Sequence, residues 1–179
     1  MVTTRKFCRF SRSATAQGLG MPEVPADGMC LSAFVVLSSA EHPSSVLLGK
    51  IEPSAPWDHL GALDTDRVQA WQYLWMLPAS HLLVFESPQE AAARVLREQL
   101  RIPSLPLMEP KVVSEVYAPV RFPNAKQHWD IEFIFRGKIP ESSIGPLPNW
   151  KELEFVDTRS LDDKDMARSH IDILSYAGF

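Results

Sequence analysis

The stretch "ESPQEAAARVLREQLRI" (86–102) sets Glu86, Glu90, Arg94 and Glu98 at regular intervals of four. On a helix, residues three and four apart share a face, so positions 95, 98 and 99 form one patch. Three carboxylates in such a patch would serve a divalent ion, because Mg²⁺ takes hard oxygen ligands, commonly carboxylates completed by water and substrate phosphate. The patch here reads Val95, Glu98 and Gln99. Valine supplies no ligand, and glutamine supplies a neutral oxygen that binds Mg²⁺ far more weakly than a carboxylate. Only Glu98 keeps a full charge. The same residues have a purely structural reading, since Glu90, Arg94 and Glu98 stand at i, i+4 spacing. Ion pairs of that kind stabilise an exposed helix by roughly 0.2–0.5 kcal/mol each.

The elements that position this patch are legible from local pattern. Ser87 ahead of Pro88, with Glu90 three residues after the serine, marks a capped helix start. That role accounts for Ser87 fully, since no nucleophile-elbow glycines surround it. "GMCLSAFVVLSS" (28–39) reads as a buried strand and "SSVLLGKI" (44–51) as its hairpin partner. Residues 52–70, rich in Pro and Asp, form an excursion with a short helix near Asp64 to Ala70. "WQYLWMLP" (71–78) is strand-like and ends at Pro78. "KVVSEVYAPV" and "HWDIEFIFRGKI" read as two strands, the second placing Ile131, Phe133 and Phe135 on one face and Asp130 and Glu132 on the other. "KELEFVDTRSL" is a short closing strand. A terminal helix is expected over "DDKDMARSHIDILSYAG", started by Asp162 or Asp163 and ended near Gly178.

The 179 residues suffice for one domain with its own core. A net charge of −4 argues against general nucleic-acid binding, whose agents are basic. No apolar run approaches the roughly 18 residues of a membrane span. Two cysteines, Cys8 and Cys30, outside any CxxC pattern fit a reducing, cytoplasmic setting. The first residues carry Arg5, Lys6, Arg9 and Arg12 with no acid before Glu23, a transit-peptide composition. The alternation in "RKFCRF" favours instead an arm or edge strand, so residues 1–28 are assigned as an N-terminal arm and 29–179 as the domain.

The stretch from Trp75 to Ile102 resembles the Nudix family, whose box reads G-x5-E-x7-R-E-U-x-E-E-x-G-U, with U a bulky aliphatic. "SHLLVFESPQEAAARVLREQLRI" places Glu86, Arg94, Leu96, Glu98 and Ile102 on its fixed positions. Ser80, Val95, Gln99 and Arg101 depart from it. "WMLPAS" is similar to the family's Trp-x-Leu-Pro-Gly-Gly lead-in, and "WKELEFVDTRSL" to its closing strand and acidic turn. The resemblance spans roughly Met29 to Tyr176 and implies an α/β fold, an α/β/α sandwich with a mixed β-sheet.

The chemistry implied is hydrolysis of a nucleoside diphosphate derivative with Mg²⁺ or Mn²⁺, or binding of another small phosphorylated ligand. By the same resemblance, Glu98, Arg94 and Glu86 are the catalytic candidates, the last two meeting as a helix-to-loop brace. Glu98, the Ala79 carbonyl, Gln99 and Glu132 are the candidate metal ligands. Asp130 and Glu115 are further outside acids, although a solvated strand face is the plainer reading of all three. Arg121 and Lys126 with Tyr117 and Phe122 are the candidate ligand contacts. Loss of both box glycines, at Ser80 and Arg101, implies a reshaped loop or a box that no longer needs its original geometry. The departures leave two functions open, a pyrophosphohydrolase with an eroded metal site and a non-catalytic module that binds a ligand or a protein. The resemblance admits a homodimer, though no residue marks an interface.

Overall fold

The computed structural model describes residues 9–10, 29–117, 128–168 and 170–179. Strands are β1 (Arg9–Phe10), β2 (Met29–Ser39), β3 (Ser45–Ile51), β4 (Ala79–His81), β5 (Lys111–Tyr117), β6 (His128–Ile139) and β7 (Trp150–Asp157). Helices are α1 (Trp57–Leu60), α2 (Thr65–Trp71), α3 (Pro88–Gln99) and α4 (His170–Ala177). The sheet runs β5-β6-β2-β3-β7, with β1 and β4 also paired to β2. β2 and β6 are parallel over their whole length and the other pairs are antiparallel, so the sheet is mixed.

Strand alternation divides the core. Ala33, Val35, Leu37 and Phe135 face one side and pack against Ala91, Ala92, Val95 and Leu96 of α3. Phe34, Val36 and Ile134 face the other and pack against Ile173, Leu174 and Ala177 of α4. The result is an α/β/α sandwich. A third cluster lies at the end of the sheet where α1 and α2 fold over β3 and β7, with Trp57, Trp71, Met76 and Trp150 at its centre. The Trp57 and Trp150 rings meet edge-on, 4.8 Å between centroids.

Two sequence expectations need correction. "WQYLWMLP" is not a strand: Trp71 ends α2, and only Trp75 and Met76 make isolated bridges, to Met166 and Gly49. Aromatic content mimicked a strand where only the end of the segment makes backbone bonds to distant parts of the chain, Trp75 with Asp165 and Ala167, Met76 with Gly49 and Pro78 with Val35. The terminal helix begins at His170, because Asp162 caps a single 3₁₀ turn, Asp163–Asp165, whose acids close a capping box of their own. Gly178 follows it at φ +94°, the left-handed exit that glycine takes without strain. Among the described residues no helix is long and apolar enough to cross a membrane. The N-terminal strand pairs Arg9 with Cys30 and Phe10 with Met29; the rest of the proposed 1–28 arm lies outside the described residues.

Gly49 shows how tightly the third cluster is built. A Cβ placed there would stand 2.3 Å from the Trp150 ring, which therefore lies directly against the β3 backbone. Overpacking of this kind costs about 1–3 kcal/mol. Gly49→Ala should lower stability by that amount in urea titration, with the tryptophan near-UV circular dichroism changing alongside.

Candidate functional site

Helix α3 forms where the pattern places it. The Ser87 hydroxyl accepts from Glu90 N–H at 3.2 Å, the Glu90 carboxylate accepts from Ser87 N–H at 2.8 Å, and Pro88 takes the first turn. The Ser87 N–H and the Ser87 hydroxyl, which donates to the same carboxylate at 2.7 Å, hold the Glu90 carboxyl below its usual range. Glu90 is thus engaged at the cap, and the i, i+4 ladder through Arg94 to Glu98 does not form.

Arg94 turns inward instead, with 4% of its surface exposed. Its guanidinium donates from Nε and Nη2 to the two Glu86 oxygens at 2.7 and 2.8 Å, from Nη1 to Ser80 Oγ at 3.1 Å and from Nη2 to the His81 carbonyl at 2.9 Å. Glu86 Oε2 also accepts from Leu83 N–H at 2.8 Å, closing the turn that leads into the helix. The fork therefore ties α3 to β4 and to the 83–86 turn. Ser80, where the box has glycine, supplies one of its acceptors. The second lost glycine does not reshape the loop either. Arg101 adopts φ +58°, and Ile102 N–H reaches back to the Leu96 carbonyl at 2.9 Å, so the left-handed turn survives with a side chain in it.

The patch at 95, 98 and 99 is taken apart by burial. Val95 is 1% exposed and packs in the α3-side core. Gln99 is 0% exposed, and its Nε2 donates to the carbonyls of Leu60 at 2.9 Å and Ala79 at 2.8 Å. Its backbone carbonyl accepts from Asn149 Nδ2 at 3.0 Å and Trp150 Nε1 at 2.9 Å. Glu98 is half-buried at the helix surface, 3.8 Å from Arg97 Nη2.

Asp130 and Glu132 are not a solvated face. They are 0% and 2% exposed, on the α4 side of the sheet, where both carboxylates approach Arg168. They lie across the sheet from α3 and Glu98, so they do not complete its patch. Glu115 accepts from the Tyr176 hydroxyl at 3.0 Å, and its charge raises the tyrosine's pKa. Arg121, Phe122 and Lys126, with the side chain of Tyr117, lie outside the described residues.

The Ala79 carbonyl faces the Gln99 amide nitrogen, Val95 is core, and among the described residues no three His, Cys, Asp or Glu side chains converge to hold an ion. The family's cation does not fit this donor set.

On the α4 side a cavity of about 40 Å³ is lined by Ser32, Trp71, His81, Arg168 and His170. Ser32 Oγ lies 3.1 Å from His81 Nδ1. His170 Nδ1 accepts from Leu77 N–H at 2.9 Å, and burial, reinforced by the Arg168 charge, lowers its pKa to about 3. Ligand pockets usually enclose roughly 300 Å³ or more, so this space does not take a nucleotide as it stands. Sequence reasoning gives no role to Arg168, Ser32 or His170: Arg168 and His170 are near neighbours in sequence, but Ser32 on β2 reaches them only through the fold. A shallower groove of about 390 Å³ follows the outer side of the box turn at Leu83, Val84, Phe85, Glu90, Ala93 and Arg97. Phe85 at its lip is fully exposed, with φ +68°.

No family model and no curated protein matches the sequence. Solved structures do match by shape. A mutT/nudix family protein from Listeria innocua superposes with TM-score 0.57 at 19% identity, over 87% of this chain and 93% of that one. The NUDIX domain of Shewanella oneidensis NrtR, crystallised with ADP ribose, gives 0.58 at 13% identity over 94% and 97%. The E. coli dihydroneopterin triphosphate pyrophosphohydrolase gives 0.53 at 13% identity over 83% and 96%. The chain has the Nudix fold.

Two measurements follow from the buried charges. Arg94→Ala leaves the Glu86 carboxylate without its guanidinium, a change that costs about 3–5 kcal/mol; urea titration should show that loss, with Glu86→Gln losing at least as much because it leaves the more deeply buried guanidinium uncompensated. His170 binds its proton more weakly folded than unfolded, so its contribution is intact above pH 6.5 and lost as pH falls towards about 3. NMR should find its imidazole neutral throughout the range in which exposed histidines titrate.

Proposed function

We propose that this Nudix-fold chain acts as a non-catalytic binding module and not as a metal-dependent pyrophosphohydrolase. The observation that carries the reading is the fate of the metal patch, in which Val95 is core and Gln99 is hydrogen-bonded to carbonyls, so that Glu98, beside Arg97, is the one carboxylate of the three positions. A helix that offers one carboxylate at these positions gives Mg²⁺ or Mn²⁺ little hold before substrate arrives. Two-metal chemistry needs more acids than this helix has. Arg94 and Glu86, catalytic candidates by resemblance, then serve as the brace of the box turn.

What the braced turn offers is a rigid tip. Phe85 projects fully into solvent in a left-handed conformation, unfavourable for a bulky side chain, while Leu83 N–H and the Glu86 carboxylate pin the turn beneath it. A held aromatic ring beside a groove that mixes Val84 and Ala93 with Glu90 and Arg97 suits a protein partner, since buried aromatic anchors dominate such interfaces. A second reading, binding of a nucleoside diphosphate derivative, draws support from the ADP ribose complex of the Shewanella relative.

Hydrolysis of nucleoside diphosphate sugars, dinucleotides, dinucleoside polyphosphates and nucleoside triphosphates with Mg²⁺ and Mn²⁺ tests the proposal, with Glu98→Gln alongside. The expected outcome is no turnover above blank for either protein. Turnover that disappears in Glu98→Gln would restore the hydrolase reading. Calorimetric titration with ADP ribose separates the two binding readings: no heat of binding is expected if the partner is a protein.

A further inference from the structure

We propose that the carboxamide of Gln99 does the structural work that a bound cation would do, and that the charge of this one side chain decides whether the fold needs a metal. Two backbone carbonyls from segments distant in sequence, Leu60 at the end of α1 and Ala79 at the start of β4, converge on a single point. Gln99 Nε2 occupies it, donating one N–H to each at 2.9 and 2.8 Å. Two converging carbonyl oxygens repel one another unless something positive lies between them. The amide nitrogen, with two hydrogens and no lone pair to offer, meets that need without an ion. Because Gln99 is fully buried, water does not share the task freely.

The assignment of nitrogen and oxygen follows from the neighbours. Reversing the amide would set Oε1 against both carbonyls, three acceptors with no donor. In the observed orientation Oε1 is buried and has no hydrogen-bond partner, the lesser cost. The backbone of the same residue accepts from Asn149 and Trp150. Gln99 thus joins α1, β4 and the start of β7 to the end of α3.

A glutamate of the same shape would bring a carboxylate to the point where Leu60 and Ala79 already present oxygens. A proton on that carboxyl would supply one donor for two carbonyls; ionised, the three oxygens repel one another when empty and form a ligand set for a hard divalent cation when filled. Gln99→Glu should therefore convert a metal-indifferent fold into a metal-dependent one. This inference shares with the functional reading only the premise that Gln99 holds no metal in the native chain.

The test is thermal unfolding of the full chain, with and without millimolar Mn²⁺, together with electron paramagnetic resonance of bound Mn²⁺. The native protein should unfold at the same temperature in both conditions. Gln99→Glu should unfold at least about 5 °C lower without metal, recover on adding Mn²⁺ and bind one ion. Gln99→Met keeps the volume but removes the donors; it should lose a similar amount and gain nothing from Mn²⁺. A Gln99→Glu protein that is destabilised and stays so at millimolar Mn²⁺ overturns the proposal. So does a Gln99→Met protein as stable as the native one, because the amide would then hold nothing together. Native stabilisation by Mn²⁺ that vanishes in Gln99→Met would also overturn it, placing a cation at Gln99 already. Hydrolysis that survives Gln99→Met would instead defeat the functional reading and leave this one standing.

Discussion

The buried guanidinium of Arg94 is the constraint on which the site depends. A positive charge held at 4% exposure is tolerable only because four acceptors surround it, two from Glu86 and one each from Ser80 and His81. Those acceptors lie on β4 and on the 83–86 turn, so satisfying the charge fixes how α3 lies against the sheet. That placement in turn buries Val95 and brings Gln99 to the Leu60 and Ala79 carbonyls. The brace requires no metal. It is a scaffold that carboxylates at positions 95 and 99 would exploit, and that persists in a chain lacking them.

Much of the fold was readable because the signals that set it are local. Strands β2, β3 and β6 announce themselves by alternation or by β-branched runs, and Ser87, Pro88 and Glu90 sit within one helical turn of one another. The errors fall where local signals compete with docking. The aromatic residues from Trp71 to Trp75 have strand-like composition, yet Trp71 is drawn into α2 and packed beside Trp57 and Met76. Asp162 is a sound cap, but it caps the nearest available turn rather than the helix that follows eight residues later.

The site was less legible, for a physical reason. Gln99 takes its meaning from two backbone carbonyls, and a carbonyl has no residue type by which to be recognised. Arg101 was misread by the opposite route. Glycine was absent from a position that favours it, yet the left-handed backbone remained, because the Ile102 to Leu96 hydrogen bond and the core contacts of α3 over-determine the turn. A missing residue type therefore did not mean a missing conformation there, whereas at positions 95 and 99 a core valine and a hydrogen-bonded amide stand where the pattern has carboxylates.

The two faces of the sheet explain why the outside acids offer no rescue. Strand alternation sends Asp130 and Glu132 to the α4 side, while α3 and Glu98 belong to the other. On the α4 side the two carboxylates approach Arg168, itself held at φ +49° just before α4, beside the neutral His170. Releasing either acid to serve a metal would leave buried charge behind, a larger penalty than one weak ligand returns. Chemistry at the box would have to be rebuilt on the α3 side itself, beginning with positions 95 and 99. There the first of these is core, and the second carries hydrogen bonds that join three segments of the fold.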